Sequence, residues 1–421
     1  METNTASYSF SSEVLSEVPE MIRWRRHLHQ HPELSFHEEA TTEYILNILK
    51  DIPGLEIRRP ARTGCIAVLK GTAEETPQSG YDSSLGAARD SLQPSGKLSH
   101  PRAILLRADI DALPIQEENN LPYRSVCDGV MHACGHDGHT AMMLAAARVL
   151  AAHRDQLRGE VHFLFQHAEE LPPGGAAELE RLGIMNGIDE LYGLHLSSNF
   201  PTGSFGVRAG ALTSATDRFD IRILGKGGHS AFPETTVDPI VIAGHIITEF
   251  QTIVSRRIRA VEPAVVSICQ LQAGSAYNII PGEVSLVGST RTFSGKTREE
   301  MPIIMEQIVK GLCDSAGASY DFRFSLGYAS VVNDRELTGH CRREIARWFG
   351  PDAVLDIDPL MPGEDYSALQ THCPGFFVEL GARSEKKGIT APHHNSHYLL
   401  DEDALTYGLQ YWVDLVHDRL Q

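Results

Sequence analysis

Three histidines and a cysteine fall within eight residues in the stretch MHACGHDGHT, residues 131–140. Cys134 and His136 stand two apart, too close for a pair spaced by helical turns but suited to a loop that wraps around an ion. A thiolate and an imidazole are good donors for a borderline cation such as zinc. His139, three residues on, can ligate, hydrogen-bond or cap a following helix. The same stretch also fits a polar loop at a helix start, with Cys134 as a small buried side chain. A second cluster is the pair Glu169–Glu170 in LFQHAEE, at the end of an apolar run. Neighbouring side chains there point in different directions, so one carboxylate can hold a metal while the other faces a water. That division suits hydrolysis, in which a metal lowers the pKa of water and a general base takes its proton. Two solvated acids at a loop start are the plain alternative. His195 in GLHLSS and the histidines of PHHNSHY (392–398) each read, alone, as a core and a surface residue. Together the clusters offer more donors than one catalytic zinc with an open position needs. They fit two metals that share a bridging ligand and a bridging water. The sequence nominates clusters among its 20 histidines, not individual ligands.

Placing these residues requires a framework. Leu15–Gln30 has a helical pattern with Leu15, Val18, Ile22 and Leu28 as inward candidates, and Pro32 stops it. Glu38–Leu49 is a second helix. Gly64–Lys70, Arg102–Arg107, Glu160–Gln166 and Leu191–Leu196 are short apolar strands, and TAMMLAAARVLAAH (140–153) is a buried helix. Strands alternating with helices predict a central, largely parallel sheet. Sites in such sheets lie outside the carboxyl ends of the strands, where Glu169, Glu170 and His195 fall. Residues 71–100 are poor in bulky apolar residues and rich in Gly, Ser and Pro, which predicts a long, flexible surface loop. The middle of the chain changes rhythm: strand Thr216–Leu224, helix Asp238–Arg256, strands Ala264–Gln272 and Glu283–Thr292, helix Lys296–Ala316 and strand Tyr320–Leu326. This βαββαβ order predicts a compact two-layer domain over 210–329, inserted into an α/β domain made of 1–209 and 330–421. A last helix is expected over Glu402–Leu415.

Composition bounds the function. The chain has 421 residues, 42% of them hydrophobic, so two domains with substantial cores are expected. A formal charge of −18 disfavours nucleic-acid binding. No apolar run approaches a membrane span, and the polar start METNTASYSFSSEV lacks the features of a signal peptide, so a cytoplasmic location is expected. Seven scattered cysteines form no disulfide framework, and without CxxC a thiol redox function lacks its resolving partner. The glycines of GKGG (225–228) do not make a dinucleotide signature.

Seven motifs, in order along the chain, carry a resemblance: HLHQHPELSFHE (27–38), LLRADIDALPIQE (105–117), HACGHDGH (132–139), LFQHAEE (164–170), GLH (193–195), GKGGHSAFP (225–233) and NIIPGE (278–283). The chain resembles the M20 metallopeptidases, in their amidohydrolase branch of hippurate, N-acyl-amino-acid and auxin-conjugate hydrolases. The resemblance implies a zinc-exopeptidase-like catalytic domain with an inserted ferredoxin-like lid and dimerisation domain. It implies two divalent ions, Zn²⁺ first with Mn²⁺, Co²⁺ or Ni²⁺ as alternatives, held by Cys134, His136, Glu170, His195 and His394, with Cys134 as bridge. Glu169 resembles the general base. His229 and Asn278, otherwise a loop histidine and a turn asparagine, would bind the substrate carbonyl or carboxylate, with His229 also stabilising the tetrahedral intermediate. Asp109 and Asp111 would orient a liganding histidine, where the plain reading is helix or turn caps. The implied reaction is metal-dependent hydrolysis of N-acyl amino acids to a carboxylic acid and a free amino acid by a homodimer or higher homo-oligomer. A dipeptidase or carboxypeptidase, or a deacetylase of the N-acetyldiaminopimelate type, would use the same metals. The chain departs from the family pattern at His167, where proline is usual, and at HHNSHY, where the ligand could be His393 or His394; the register to DEDAL (401–405) favours His394.

Overall fold

The computed structural model describes residues 9–73 and 102–421, so nearly all of the loop expected over 71–100 lies outside the described residues. The chain forms two compact units. One comprises Met1–Gly210, Asn333–Asp358 and Ala368–Gln421, the other Ala211–Val332 and Pro359–Ser367.

The first unit is built on an eight-stranded sheet. Its order is Leu55–Arg58, Cys65–Lys70, Glu160–Gln166, Ala103–Asp109, Glu190–Pro201, Gly375–Arg383, Phe205–Val207, Val354–Asp356. The four strands from Glu160–Gln166 to Gly375–Arg383 run parallel. Antiparallel pairing at Leu55–Arg58, Cys65–Lys70 and Phe205–Val207 makes the whole sheet mixed. Every residue of Ala103–Asp109 is buried, as expected for a strand covered on both faces. Helices Ser12–Gln30, His136–Ala152 and Asp403–Leu420 share one apolar core with the sheet, including Trp24, Met142, Phe163, Leu196 and Trp412. Each such side chain contributes about 1.5–3 kcal/mol on burial.

The first helix corrects one expectation. Ser11 caps it, its Oγ accepting from Val14 N–H at 3.2 Å, and the buried stripe is Val14, Met21, Trp24, Arg25, Leu28 and His29. Leu15 is 52% exposed. Rotation of 100° per residue turns it away once Val14 faces inward. The stripe was hard to see because two of its members, Arg25 and His29, are polar. The helix expected from Thr140 starts at His136 instead. Gly135 precedes it in left-handed backbone, φ 93°, and a Cβ there would lie 3.0 Å from Tyr398 Oη.

The second unit holds a four-stranded antiparallel sheet in the order Ala264–Ala273, Glu283–Thr292, Ala215–Leu224, Ser319–Leu326. Helices Pro239–Thr252 and Gly295–Ala316 pack on it around Phe219, Ile221, Ile223, Phe250, Leu286 and Met305. The first of these helices ends at Thr252 and passes into a π turn, Ile253–Arg257. Pro359–Ser367 belongs to this unit because its backbone pairs there. Leu360 N–H donates to Leu212 O at 2.7 Å, and Ser214 N–H to Leu360 O at 3.0 Å. Among the described residues no helix is long and apolar enough to cross a membrane.

Candidate metal centre

The first unit gathers the donors where its parallel strands end. Strand Ala103–Asp109 delivers Asp109 and, two residues on, Asp111. Strand Glu160–Gln166 leads to Glu169 and Glu170, and Glu190–Pro201 carries His195. Helix His136–Ala152 presents His136 in its first turn, with Cys134 just before it. Thr140 fastens this helix to the sheet by donating its hydroxyl to Asp109 O at 3.0 Å.

Cys134 Sγ lies 3.5 Å from His195 Nε2. Glu170 Oε1 lies 3.2 Å from His394 Nε2 and 3.9 Å from His136 Nε2. The donor atoms of Cys134, His136 and His195 lie within 4.8 Å of one another, and so do those of Cys134, Glu170 and His394. The two groups share the Cys134 sulfur. A third grouping of the same size joins His136, Glu169 and Glu170, which puts the buried Glu169 carboxylate beside the donors. His393, the rival to His394, instead accepts Ser198 N–H at Nε2, 3.0 Å.

The tautomers leave lone pairs aimed inward. His136 Nδ1–H donates to Asp111 O at 2.9 Å, and His195 Nδ1–H to Leu196 O at 2.8 Å. Each ring therefore turns Nε2 toward the cluster, bare on the neutral His195 and made so on His136 by loss of its second proton, the state a metal requires. His136 Nε2 is buried without a hydrogen-bond partner, which is costly unless something else satisfies it. Charge points the same way. Burial pulls the His136 pKa down, but Asp109, Asp111 and Glu170 outweigh it and lift it to about 10. Burial raises the Cys134 thiol, and the Glu170 and Glu169 carboxylates raise it further. Burial, with His139 and His393 nearby, holds His195 neutral. A crowded, net-negative pocket of this kind favours a cation, which would displace the proton on His136 and stabilise the Cys134 thiolate. The donor set, soft sulfur with imidazoles and a carboxylate, fits two divalent ions.

Asp111 is placed to orient a histidine: Oδ1 is 3.2 Å from His136 Nδ1, while Oδ2 takes Ser35 Oγ–H at 2.7 Å and Glu170 N–H at 2.9 Å. Asp109 is placed differently from the expectation. Its Oδ1 takes His139 Nδ1–H at 2.6 Å and its Oδ2 pairs with Arg107 at 2.6 Å. Its Oδ2 lies 3.6 Å from His136 Nε2, on the side of that ring that faces the cluster. His139 Nε2 in turn accepts Leu196 N–H at 2.8 Å, so His139 ties Asp109 to the strand that carries His195 and has no nitrogen left for a metal. His229 and Asn278 both lie in the second unit. Residues Gly228–His229 pair with Ile279–Ile280, and Ser230 N–H donates to Asn278 O at 3.1 Å. His229 is exposed.

Several buried polar residues received no role from the sequence. Arg25 and His29 both reach Asp137 Oδ2 at 2.8 Å, and His29 Nε2 is 3.2 Å from Glu117 Oε1. Glu38 is fully buried behind Ala168. His29 and Glu38 stand inside the quoted stretch HLHQHPELSFHE, which was the available signal.

Residues 105–418 match the model of peptidase family M20/M25/M40. An N-acyl-L-amino acid amidohydrolase of Geobacillus stearothermophilus is 47% identical over 314 residues, 75% of this chain and 78% of that protein. An N-acetylcysteine deacetylase of Bacillus subtilis is 38% identical over 402 residues, 94% of this chain and 95% of the other. Among solved structures, the Bacillus subtilis YXEP protein, described as a dinuclear metal-binding peptidase, superposes with a TM-score of 0.79 at 35% identity, covering 96% of this chain and 99% of that one.

Proposed function

The chain belongs to peptidase family M20/M25/M40, and on that premise we propose that it is a metal-dependent amidohydrolase of N-acyl amino acids, releasing a carboxylic acid and a free amino acid. One observation carries the reading: a cysteine shared by two donor groups, with a buried carboxylate, Glu169, beside them. When bound, two divalent ions supply Lewis acidity and lower the pKa of water; zinc suits the sulfur-containing set, with Mn²⁺, Co²⁺ or Ni²⁺ as alternatives. The chain's own residues do the rest. His136 and His195, fixed by their Nδ1–H bonds, present Nε2, and Cys134, Glu170 and His394 complete the set. Glu169 takes a proton from the attacking water and returns it to the leaving nitrogen as the C–N bond breaks, so the amine departs neutral. His229 and Asn278 bind the substrate carbonyl or carboxylate, and His229 adds charge stabilisation to the tetrahedral oxyanion. The second unit pairs two copies into a homodimer or higher homo-oligomer, and the protein acts in the cytoplasm.

The experiment is a substrate panel on zinc-loaded protein: acetyl- and benzoyl-amino acids, their carboxamides, and dipeptides with free amino ends. A free α-carboxylate is binding energy that can also orient the scissile bond. The N-acyl acids should exceed their carboxamides by at least about tenfold in kcat/KM, near 1.4 kcal/mol. Dipeptides cleaved faster than every N-acyl acid would replace this reading with a dipeptidase.

A further inference from the structure

Phe36, Ala168 and His394 are non-glycine residues in left-handed backbone, at φ 67°, 52° and 59°. Such backbone is disfavoured for any residue with a Cβ, by about 1 kcal/mol or more, and persists where surrounding contacts impose it. Two of the three share one anchor. Glu38 Oε1 accepts Phe36 N–H at 3.0 Å and Ala168 N–H at 2.8 Å. Ala168 directly precedes Glu169. On the other side of Glu169, Glu170 N–H ends on Asp111 Oδ2, which also holds the Ser35 hydroxyl. The two peptide N–H groups that flank Glu169 therefore terminate on two buried carboxylates.

Both anchors are braced by the same short segment, residues 33–38. Ala112 N–H donates to Glu33 O at 2.8 Å, and Leu34 bridges Ala112 in parallel register. The Phe36 ring meets the His167 ring edge-on, 5.8 Å between centroids. Glu38 sits where helix Glu39–Lys50 begins, and its side chain turns away from that helix to reach a backbone 130 residues on. Its carboxyl has full burial without exposed surface to recommend it as a solvating group. What it has is one oxygen at the correct distance from two strained peptides.

We propose that Glu38 is a positioning residue for Glu169: through its Oε1 it holds Ala168 in the left-handed conformation and so aims the Glu169 carboxylate. This rests on the reading of Glu169 as the general base. The acceptor, not the charge, is the working part, because both N–H groups meet a single oxygen that an amide carbonyl could replace.

The test uses full-length, zinc-loaded protein and an N-acetyl amino acid, reading kcat, KM and metal content for four variants. Glu38→Gln keeps an acceptor at the same reach and should stay within about threefold of wild type in kcat. Glu38→Asp keeps the charge but withdraws the oxygen by a methylene, and Glu38→Leu removes the acceptor. Both should lose about 10- to 100-fold in kcat, the scale of a small misplacement of a catalytic group, with KM within about threefold and two ions retained. If Glu38→Leu does not fold, the order of Gln against Asp decides: Gln above Asp supports the acceptor, Asp at or above Gln overturns it. Loss of metal in Glu38→Asp, or wild-type kcat in Glu38→Leu, also overturns it. Glu169→Gln separates the two readings. If that variant keeps wild-type kcat, the base assignment itself fails; if it is inactive while Glu38→Leu is not, only the positioning role fails.

Discussion

Asp111→Asn isolates what one carboxylate does for a liganding histidine. His136 Nδ1 has two acceptors on Asp111, the main-chain oxygen at 2.9 Å and Oδ1 at 3.2 Å. In the variant, the amide oxygen is best left where Oδ2 now takes Ser35 Oγ–H and Glu170 N–H, since turning it would strand both donors. The amide NH₂ then faces His136 Nδ1–H, donor against donor. The main-chain carbonyl still fixes the tautomer, so the ring keeps its orientation and loses only a charged acceptor. A hydrogen bond to a charged group is worth about 1.5–3 kcal/mol against about 0.5–1.5 for a neutral one, a difference of roughly 1–1.5 kcal/mol. That corresponds to about tenfold in metal affinity, the lower end of the usual range for such partners. Chelator competition with Zn²⁺ on metal-free protein should show one of two ions weakened about tenfold and the other within about threefold. Ser35→Ala is the control: it should cost about 1 kcal/mol of stability and leave both affinities alone. If Asp111→Asn binds both ions as wild type does, the carbonyl alone governs His136 and the argument from the carboxylate is refuted.

Other outcomes follow from the same geometry. Glu169→Gln should keep two ions while kcat falls about 10²- to 10⁴-fold, whereas Glu170→Gln should weaken metal binding; elemental analysis with kinetics checks both, and exchanged phenotypes would move the assignment by one residue. Glu379 is buried, and burial lifts its carboxyl from 4.5 to about 7, partly offset by the Ser197 hydroxyl. The native state therefore holds a proton that the unfolded chain releases between about pH 4.5 and 7. Stability is full below that window and lost as pH rises through it, by about 3 kcal/mol in all. Glu379→Gln should gain stability relative to wild type at pH 8.5 and little at pH 4.5, as measured by denaturant unfolding; a difference that does not vary with pH would count against the buried-acid account.

How far the sequence could be read depended on which force placed each residue. Apolar periodicity located strands well. Glu160–Gln166 and Glu283–Thr292 have the bounds their patterns predict, because each strand buries apolar side chains on at least one face. Donor chemistry found the clusters, since thiol, imidazole and carboxylate side chains in one short stretch are conspicuous without any fold. It could not choose within them. The difference between His393 and His394 is which ring accepts Ser198 N–H and which lies beside Glu170, a matter of backbone direction at a left-handed residue. Nor could it find Glu38, whose partners are peptide N–H groups that every residue except proline possesses.

The start of the helix at His136 shows why polarity misleads near such a centre. GHDGH reads as a loop because its side chains are polar, yet His136, Asp137 and His139 are buried in the first helical turn. What holds them there is pairing. Asp137 meets Arg25 and His29, both on the inward stripe of the first helix, and His29 spans from Asp137 to Glu117. Arg25 and the Nδ1–H of His29 hold the Asp137 carboxyl well below the usual range despite its burial. Removing one partner of a buried pair of this kind costs about 3–5 kcal/mol, far more than helix propensity contributes at any single position. Where the helix begins is therefore set by an ion cluster contributed from Ser12–Gln30, more than 100 residues earlier in the chain. That cluster fixes the residue next to His136, so the buried polar members of the first helix, Arg25 and His29, are part of what fixes the metal-binding loop.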